Sequence, residues 1–101
     1  DLAVLGERIR ELAVGLESVL ARERLAVRRV SLKLRYADRE AVSRTRTLAR
    51  ALTTAGALEE VARELLGRTQ AGTRAVRLVG LSVSQLMRVR RDDRQLDLFS
   101  G

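Results

Sequence analysis

Basic side chains alternate with uncharged residues in two short stretches of the sequence. Arg29, Lys33 and Arg35 are separated by even numbers of positions in the first stretch, and Arg44 and Arg46 are two apart in the second. In an extended chain, residues with this spacing project from the same side of the backbone. Cations gathered in this way bind nucleic-acid phosphates without reading the base sequence. The alternative is a solvated charged surface without a partner, and the alternation argues against it.

The acidic residues show no comparable arrangement. Three pairs are close in the sequence, in a predicted turn, on a predicted helix and in the tail: Asp38 with Glu40, Glu59 with Glu60, and Asp92 with Asp93. Two-metal phosphoryl transfer needs carboxylates that converge on ions about 4 Å apart. The sequence also contains no His and no Cys, which removes the usual neutral-pH base and the commonest zinc ligands. We therefore predict no catalytic residue, no metal site and no cofactor within this segment.

Three large apolar residues stand near the C-terminus, after residues 88–94, which are all charged except Val89. They are Leu96, Leu98 and Phe99, and Gln95 precedes them. A peptide of this kind supplies apolar anchors to a pocket on another protein, and the amide of Gln95 can bond backbone groups beside that pocket. The alternatives are a frayed terminus and a segment that folds back on its own domain.

The composition is that of one basic globular domain. The chain has 101 residues, of which 46% are apolar, and this is enough for a core between two layers. Lys and Arg outnumber Asp and Glu by 20 to 13, which gives a formal net charge of +7. This balance favours a polyanionic partner, with nucleic acid ahead of an anionic membrane. No apolar run approaches the roughly 20 residues that span a bilayer, so we expect no membrane partner.

Two amphipathic helices are predicted from apolar residues spaced three and four apart. The first covers residues 1–24, with Asp1 as its N-cap. The second follows Thr53 or Thr54 as its N-cap, and Gly67 is suited to its C-terminal end.

Three other stretches have the two-residue period of a β-strand. Residues 30–36, with the sequence VSLKLRY, predict a strand that has one apolar face and one basic face. Residues 37–40 connect it to a second strand over residues 41–48, which we predict to be its hairpin partner. A third strand is predicted over residues 76–86, where Gly80 interrupts the alternation and indicates a bulge.

This order of elements predicts an α+β fold in which two helices pack on one face of an antiparallel sheet. The order is that of a βαββαβ plait whose first strand is missing. We expect that missing strand to belong in the interior of the sheet, so that the third strand would be left with an unpaired edge. The domain is predicted to cover residues 1–86, followed by a flexible tail over residues 87–101.

Two strand motifs and the tail are similar to sequences of a known family. The stretch VSLKLRYADREAVSRTRTL, residues 30–48, resembles the pattern K-L-R-Y/F-x-D-F-x-x-x-T-R-S-R-T-L, and residues 76–81 resemble V-R-L-x-G-V. Both patterns belong to the little-finger domain of Y-family DNA polymerases, above all bacterial DNA polymerase IV. The terminal QLDLF, residues 95–99, resembles the peptide Q-L-x-L-F by which bacterial polymerases bind the sliding clamp. Arg39 departs from the family, which has an aromatic residue there, and residues 49–51 replace a turn that contains Pro.

The resemblance implies the C-terminal, DNA-gripping domain of a translesion polymerase. The residues that it places on the phosphates of primer–template DNA are Arg29, Lys33, Arg35, Arg44 and Arg46. The residues that it places on the sliding clamp, the β subunit of DNA polymerase III, are Gln95, Leu96, Leu98 and Phe99. It further implies a cytoplasmic parent protein whose palm, fingers and thumb contact this domain and whose palm holds Mg²⁺.

Two other functions remain open from the sequence. A catalytically inactive Y-family adaptor would keep the same domain and the same clamp peptide. A free-standing basic regulatory domain is more distant, because we would expect such a chain to begin near Asp1 with a start signal of its own. A membrane-surface role for the first helix is weaker still, since its polar side mixes acidic and basic residues and it has neither Trp nor Phe.

Overall fold

The fold consists of two helices and one three-stranded sheet. The computed structural model describes residues 2–89. The elements along the chain are α1 (Leu2–Glu23), β1 (Leu25–Tyr36), β2 (Ala41–Leu52), α2 (Ala55–Leu66) and β3 (Val76–Arg88). All strand pairs are antiparallel, and the predicted α+β class is confirmed.

Helix α1 buries one stripe of its surface. Leu5, Ile9 and Ala13 are buried one turn apart, because residues three and four positions apart share a face of a helix. The helix ends at Glu23, and Arg24 takes the left-handed conformation with φ of 57°. The chain reverses there and enters β1 directly. No helix within residues 2–89 is long and apolar enough to cross a membrane.

Helix α2 begins after Thr54, one of the two N-caps that the sequence predicts. The side-chain oxygen of Thr54 accepts a hydrogen bond of 3.2 Å from the backbone N–H of Ala57. The carboxylate of Glu17 on α1 accepts a second bond, of 3.0 Å, from the N–H of Ala55. A carboxylate is favourable here because the unpaired N–H groups and the helix dipole give the N-terminus of the helix positive character. Gly67 follows the last helical residue.

Strand β1 is the central strand of the sheet, and the strand order is β2-β1-β3. The prediction that a missing strand belongs inside the sheet is therefore wrong. Leu32, for example, pairs with Arg44 on β2 and with Leu81 on β3, so both edges of β1 are occupied. Strand β1 carries Val, Leu and Tyr side chains on one face, and this apolar face suits the strand that is buried most deeply under the helices.

Strand β1 begins earlier than the alternation predicts, at Leu25 instead of Val30. Ala26 and Val27 are both buried, so these residues do not show the period of two. The backbone pairing of β1 with β3 continues to Arg24, whose carbonyl accepts a hydrogen bond of 2.9 Å from the N–H of Val89.

Strand β2 also continues past its predicted end at Leu48. Arg29 pairs with Thr47 but Val27 pairs with Leu52, so β2 contains extra residues at this point. The guanidinium of Arg28 donates a hydrogen bond of 3.0 Å to the carbonyl of Leu48 within this irregularity.

Strand β3 does contain a bulge, but Gly80 is not its site. Gly80 pairs with Lys33 in an unbroken register. The register changes where Arg35 faces Leu78 and Tyr36 faces Val76, which leaves Arg77 as the extra residue. The bulge lets the alternation continue, because Val79, Leu81 and Val83 then pack against the core, whereas Leu86 and Met87 are exposed.

The core lies between the helices and the inner face of the sheet. Its fully buried large side chains are Ile9, Val27, Val30, Leu32, Leu34, Tyr36, Leu58 and Leu65. No polar or charged residue among residues 2–89 is buried. The charged side chains are therefore available at the surface.

Candidate nucleic-acid interface

The face of the sheet that points away from the helices carries a row of cations along β1. Val30, Leu32 and Leu34 are buried on the inner face, so the residues between them project outward. The basic members of this outward set, which we call the open-face cations, are Arg29, Lys33 and Arg35. The predicted division of β1 into an apolar face and a basic face is confirmed.

No carboxylate within residues 2–89 forms a salt bridge with the open-face cations. Arg29 donates a hydrogen bond to the neutral hydroxyl of Thr47 at 3.0 Å, and Arg35 donates to the backbone carbonyl of Arg39 at 3.1 Å. These bonds orient the guanidinium groups without neutralising them. The positive charge of the row is thus free to act on a polyanion.

Small residues lie on both sides of residues 29–33. Directly opposite residues of antiparallel strands share a face. The partners on β2 and β3 are Ser43, Thr45, Thr47, Gly80, Ser82 and Ser84. Ser31 and Thr45 share a hydrogen bond of 2.9 Å across the surface. Because no bulky side chain stands beside this part of the row, a phosphate can approach the cations closely.

These small residues were not among the predicted site residues. A signal for them exists, since the segments of residues 43–47 and 80–84 place Ser, Thr or Gly at every second position. The same alternation that identified the cations therefore identifies the surface around them. Their hydroxyl groups can donate hydrogen bonds to phosphate oxygens.

Arg44 and Arg46 lie on the opposite face from the open-face cations. Arg44 is paired with Leu32 and Arg46 with Val30, both of which face the core. The two basic stretches that the sequence assigns to DNA contact therefore lie on different faces of the sheet. Arg46 forms a salt bridge with Glu64 of α2.

Arg44 reaches toward the end of α2 in the same way. Its Nε donates a hydrogen bond of 3.1 Å to the carbonyl of Arg68, and its Nη1 donates one of 2.9 Å to the carbonyl of Ser43. The sequence contains a signal for this placement. Arg44 is an even number of positions from Val42 and Leu48, which pack in or against the core, and such residues share a face of a strand. The two arginines lie on the edge strand β2 and contact α2 and the residues that follow it.

The bulge adds an exposed cation that the sequence analysis did not assign. Arg77 and Leu78 together oppose Arg35 of β1. The side chain of Arg77 is exposed and has no hydrogen bond or salt bridge within the described part of the chain. Bulges commonly redirect a side chain at the edge of a sheet. The end of the sheet at Arg35 is therefore more basic than β1 alone indicates.

A compact cluster holds the turn between β1 and β2. The guanidinium of Arg74 lies 3.9 Å from the centre of the Tyr36 ring and forms salt bridges of 2.6 Å with Asp38 and 2.7 Å with Glu40. The hydroxyl of Tyr36 accepts a hydrogen bond of 2.9 Å from the N–H of Gln70. The turn is thereby attached to the loop between α2 and β3.

The electrostatics of this cluster are favourable for both partners. The backbone N–H of Glu40 donates to the Asp38 carboxylate, and together with Arg74 it lowers the pKa of that carboxyl below its ordinary value of 3.8. The hydrogen bond to Glu40 and the contact with Asp38 raise the pKa of the Arg74 guanidinium above its ordinary value. Asp38 and Arg74 therefore remain charged at neutral pH.

Two further predictions concern metal binding and the clamp-binding peptide. Among residues 2–89, no three acidic side chains converge in a way that could hold a metal ion, so these residues do not fit a Mg²⁺ site. Gln95, Leu96, Leu98 and Phe99 lie outside the described residues, so their predicted role stays a prediction.

Comparison with known proteins gives a consistent result. The model of the impB/mucB/samB family C-terminal domain matches residues 1–98. DNA polymerase IV of Halorhodospira halophila is 37% identical over 101 residues, which are 100% of this chain and 28% of that protein. DNA polymerase IV of Alkalilimnicola ehrlichii is 39% identical over 94 residues, which are 92% of this chain and 26% of that protein.

Two solved structures share the fold. A complex of the beta-clamp processivity factor and the little finger domain of PolIV matches with a TM-score of 0.58 and 29% identity, over 75% of this chain and 68% of that chain. An insertion ternary complex of Dbh DNA polymerase matches with a TM-score of 0.56 and 17% identity, over 79% of this chain and 24% of that chain. The latter likeness concerns the fold alone.

The chain belongs to the impB/mucB/samB family and represents its C-terminal domain. It spans 28% and 26% of the two curated relatives described above.

Proposed function

We propose that this domain holds primer–template DNA for a translesion DNA polymerase of the DNA polymerase IV type. The single observation that carries the proposal is the row of open-face cations, which lacks carboxylate partners in the described chain and is bordered by small hydroxyl residues. Such a surface binds the phosphate backbone and not the base edges. A polymerase that must hold any sequence needs contacts of this kind.

Within residues 2–89, the open face has no aromatic side chain on which bases could stack. Tyr36 is the only aromatic residue within residues 2–89, and it is buried in the core at 2% exposure. Sheets that bind single-stranded RNA by stacking need aromatic side chains on the open face. The chemistry therefore favours duplex phosphates as the ligand.

Arg44 and Arg46 remain candidates for DNA contact at the edge of the sheet. Because Arg46 is paired with Glu64 and Arg44 is held by backbone carbonyls, we expect them to contribute less than the open-face cations. A cation that already has an ionic partner releases fewer counterions when it meets a phosphate.

The activity of the parent protein is part of the proposal. The relatives are DNA polymerases IV, and the present chain corresponds to about a quarter of each. We propose that the polymerase chemistry and its Mg²⁺ belong to the palm of a longer cytoplasmic chain. The palm, fingers and thumb of that chain would contact this domain.

The sliding clamp is the proposed second partner. One structural relative is a little finger domain in complex with a beta-clamp processivity factor. We propose that Gln95, Leu96, Leu98 and Phe99 bind the corresponding clamp and tether the polymerase during lesion bypass. The affinity of such a peptide is modest, because binding must order a free tail.

A binding experiment on the 101-residue chain tests the DNA-holding function. The affinity for labelled duplexes of unrelated sequence is measured as a function of salt, for the unchanged chain and for a variant in which Arg29, Lys33 and Arg35 are replaced by Ala. We expect equal affinity for all sequences and a salt slope that falls by roughly 0.9 for each lost phosphate contact. An unchanged slope and affinity in the triple variant would refute the proposal.

A further inference from the structure

We infer that Arg39, at the tip of the β1–β2 turn, is a further phosphate-binding residue, and that Arg74 is the positioning residue that keeps it available. This inference rests on the proposed DNA-holding function and extends the binding surface beyond the sheet. It is drawn from the way in which the turn distributes its charges.

Arg39 is fixed in space by its backbone. It has a left-handed conformation with φ of 77°, which is uncommon for a residue other than Gly, Asn or Asp. Its N–H donates a hydrogen bond of 2.9 Å to the carbonyl of Tyr36, and its carbonyl accepts the bond of 3.1 Å from Arg35. The backbone of Arg39 therefore lies against the guanidinium of the last open-face cation.

The side chain of Arg39 carries an unpaired charge. It is exposed and has no hydrogen bond or salt bridge within residues 2–89. Its sequence neighbours Asp38 and Glu40 are the obvious carboxylates that could neutralise it. Both are instead bound by Arg74, at 2.6 Å and 2.7 Å.

Arg74 thus separates the charges of the turn. The Tyr36 ring supports the guanidinium of Arg74 from one side, at 3.9 Å, and Gln70 accepts a further hydrogen bond from it at 3.0 Å. With both acidic groups directed toward Arg74, the tip presents Arg39 as a free cation beside Arg35. A phosphate that reaches Arg35 then lies within the range of a second guanidinium.

The direct test replaces Arg39 by Gly and by Lys and measures the salt slope of binding to a labelled mixed-sequence duplex. Gly tolerates the positive φ, so that variant removes the side chain without straining the turn. Arg10→Ala is the matched control, because Arg10 is exposed on α1, far from the sheet's open face, and the variant loses the same single charge. We expect Arg39→Gly to lower the slope by about 0.9, Arg39→Lys to preserve it, and Arg10→Ala to leave it nearly unchanged.

The positioning role of Arg74 is tested by a double-mutant cycle. Replacing Arg74 by Ala frees Asp38 and Glu40 to pair with Arg39, so Arg74→Ala should lower the slope about as much as Arg39→Gly does. Once Arg39 is Gly, the loss of Arg74 should have little further effect, because the two changes remove the same contact. Additive losses would show that Arg74 does not act through Arg39.

The outcomes distinguish this inference from the proposed function. If the Arg29, Lys33 and Arg35 variant loses binding while Arg39→Gly matches Arg10→Ala, the inference is wrong and the DNA-holding function stands. If DNA binding by the triple variant is unaffected, the proposed DNA-holding function is wrong, and the inference that rests on it is wrong as well. Absence of DNA binding by the unchanged chain would contradict both.

Discussion

Arg44 lies directly opposite Leu32 in the ladder between β1 and β2, and Leu32 is 1% exposed on the inner face of the sheet. An arginine thus shares the helix-covered side of the sheet with a core leucine. Its guanidinium reaches the carbonyl of Arg68 beyond the end of α2. The basic residues of the hairpin are therefore divided between the two faces of the sheet. The phosphate-binding surface on the open face contains fewer cations than the total charge of the hairpin indicates.

Replacing Gly15 by Ala should stabilise the domain. Gly15 lies within α1, and a Cβ at that position would meet nothing within 4 Å. We expect the free energy of unfolding to rise by about 0.5 to 1 kcal/mol, because Gly loses more backbone entropy than Ala on entering a helix. Urea unfolding provides the measurement.

Gly6→Ala is the matched comparison in the same helix. A Cβ at Gly6 would lie 2.9 Å from the Nη1 atom of Arg63, so that guanidinium must move. The gain at Gly6 should consequently be smaller than the gain at Gly15. A larger gain at Gly6 would contradict the close approach of α2 to α1 at this point.

Tyr36→Phe should destabilise the domain by about 1 kcal/mol. The substitution retains the ring that supports Arg74 but removes the hydroxyl that accepts the Gln70 N–H at 2.9 Å. The midpoint of thermal unfolding should fall while the affinity for DNA is nearly unchanged. No shift in the midpoint would mean that the hydrogen bond between the turn and the loop contributes nothing to stability.

The stability contributed by Asp38 should depend on pH. Its pKa in the folded protein is lowered below 3.8, first by the hydrogen bond from the Glu40 N–H and then by Arg74. The ionised group therefore stabilises the fold at all pH values above its ordinary pKa, and this contribution is lost as the pH falls through the lowered pKa. Asp38→Asn should be less stable than the unchanged chain at pH 7, and the difference should disappear in acid.

Urea unfolding at a series of pH values measures this effect. Glu60→Gln is a suitable control, because Glu60 is exposed on α2 and has no ion pair within residues 2–89. The difference in stability between Glu60→Gln and the unchanged chain should not disappear in acid in the same way. A difference for Asp38→Asn that persists unchanged in acid would contradict the role assigned to its carboxylate.

Truncation after Arg94 should abolish binding to a bacterial sliding clamp. The removed residues include Gln95, Leu96, Leu98 and Phe99, which we propose as the clamp-binding peptide. The midpoint of unfolding should remain nearly unchanged, since the tail is not expected to pack on its own core. Loss of more than about 1 kcal/mol of stability on truncation would favour a tail that folds back on the domain.

The alternation along β1 was sufficient to predict its two faces. Val30, Leu32 and Leu34 are buried and Arg29, Lys33 and Arg35 are outside, because a single strand fixes the parity of its own residues. A cap at Thr53 or Thr54 was equally predictable, since a Thr side chain and the apolar residues that follow it form a local signal, and Thr54 is the cap in the structure.

The relation between strands was harder to predict. Which face Arg44 and Arg46 occupy depends on the register set by the turn, and a slip of one residue reverses every side chain of a strand. The bulge at Arg77 was assigned to Gly80 because Gly commonly marks a bulge, whereas the actual site is where β3 pairs with Arg35 and Tyr36. The pairing of β3 with β1 depends on contacts between distant parts of the chain, which a local sequence pattern does not predict.

The central claim is tested most directly by comparing two double variants that lose the same charge from opposite faces of the sheet. Arg29→Ala with Lys33→Ala, and Arg44→Ala with Arg46→Ala, each lower the formal net charge of +7 by two. The salt dependence of duplex DNA binding is measured for both variants and for the unchanged chain. We predict that the open-face pair lowers the slope by nearly two units and that the helix-side pair lowers it by less than about half as much. Equal losses from the two pairs, or a larger loss from Arg44 and Arg46, would contradict the assignment of the open face as the DNA-binding surface.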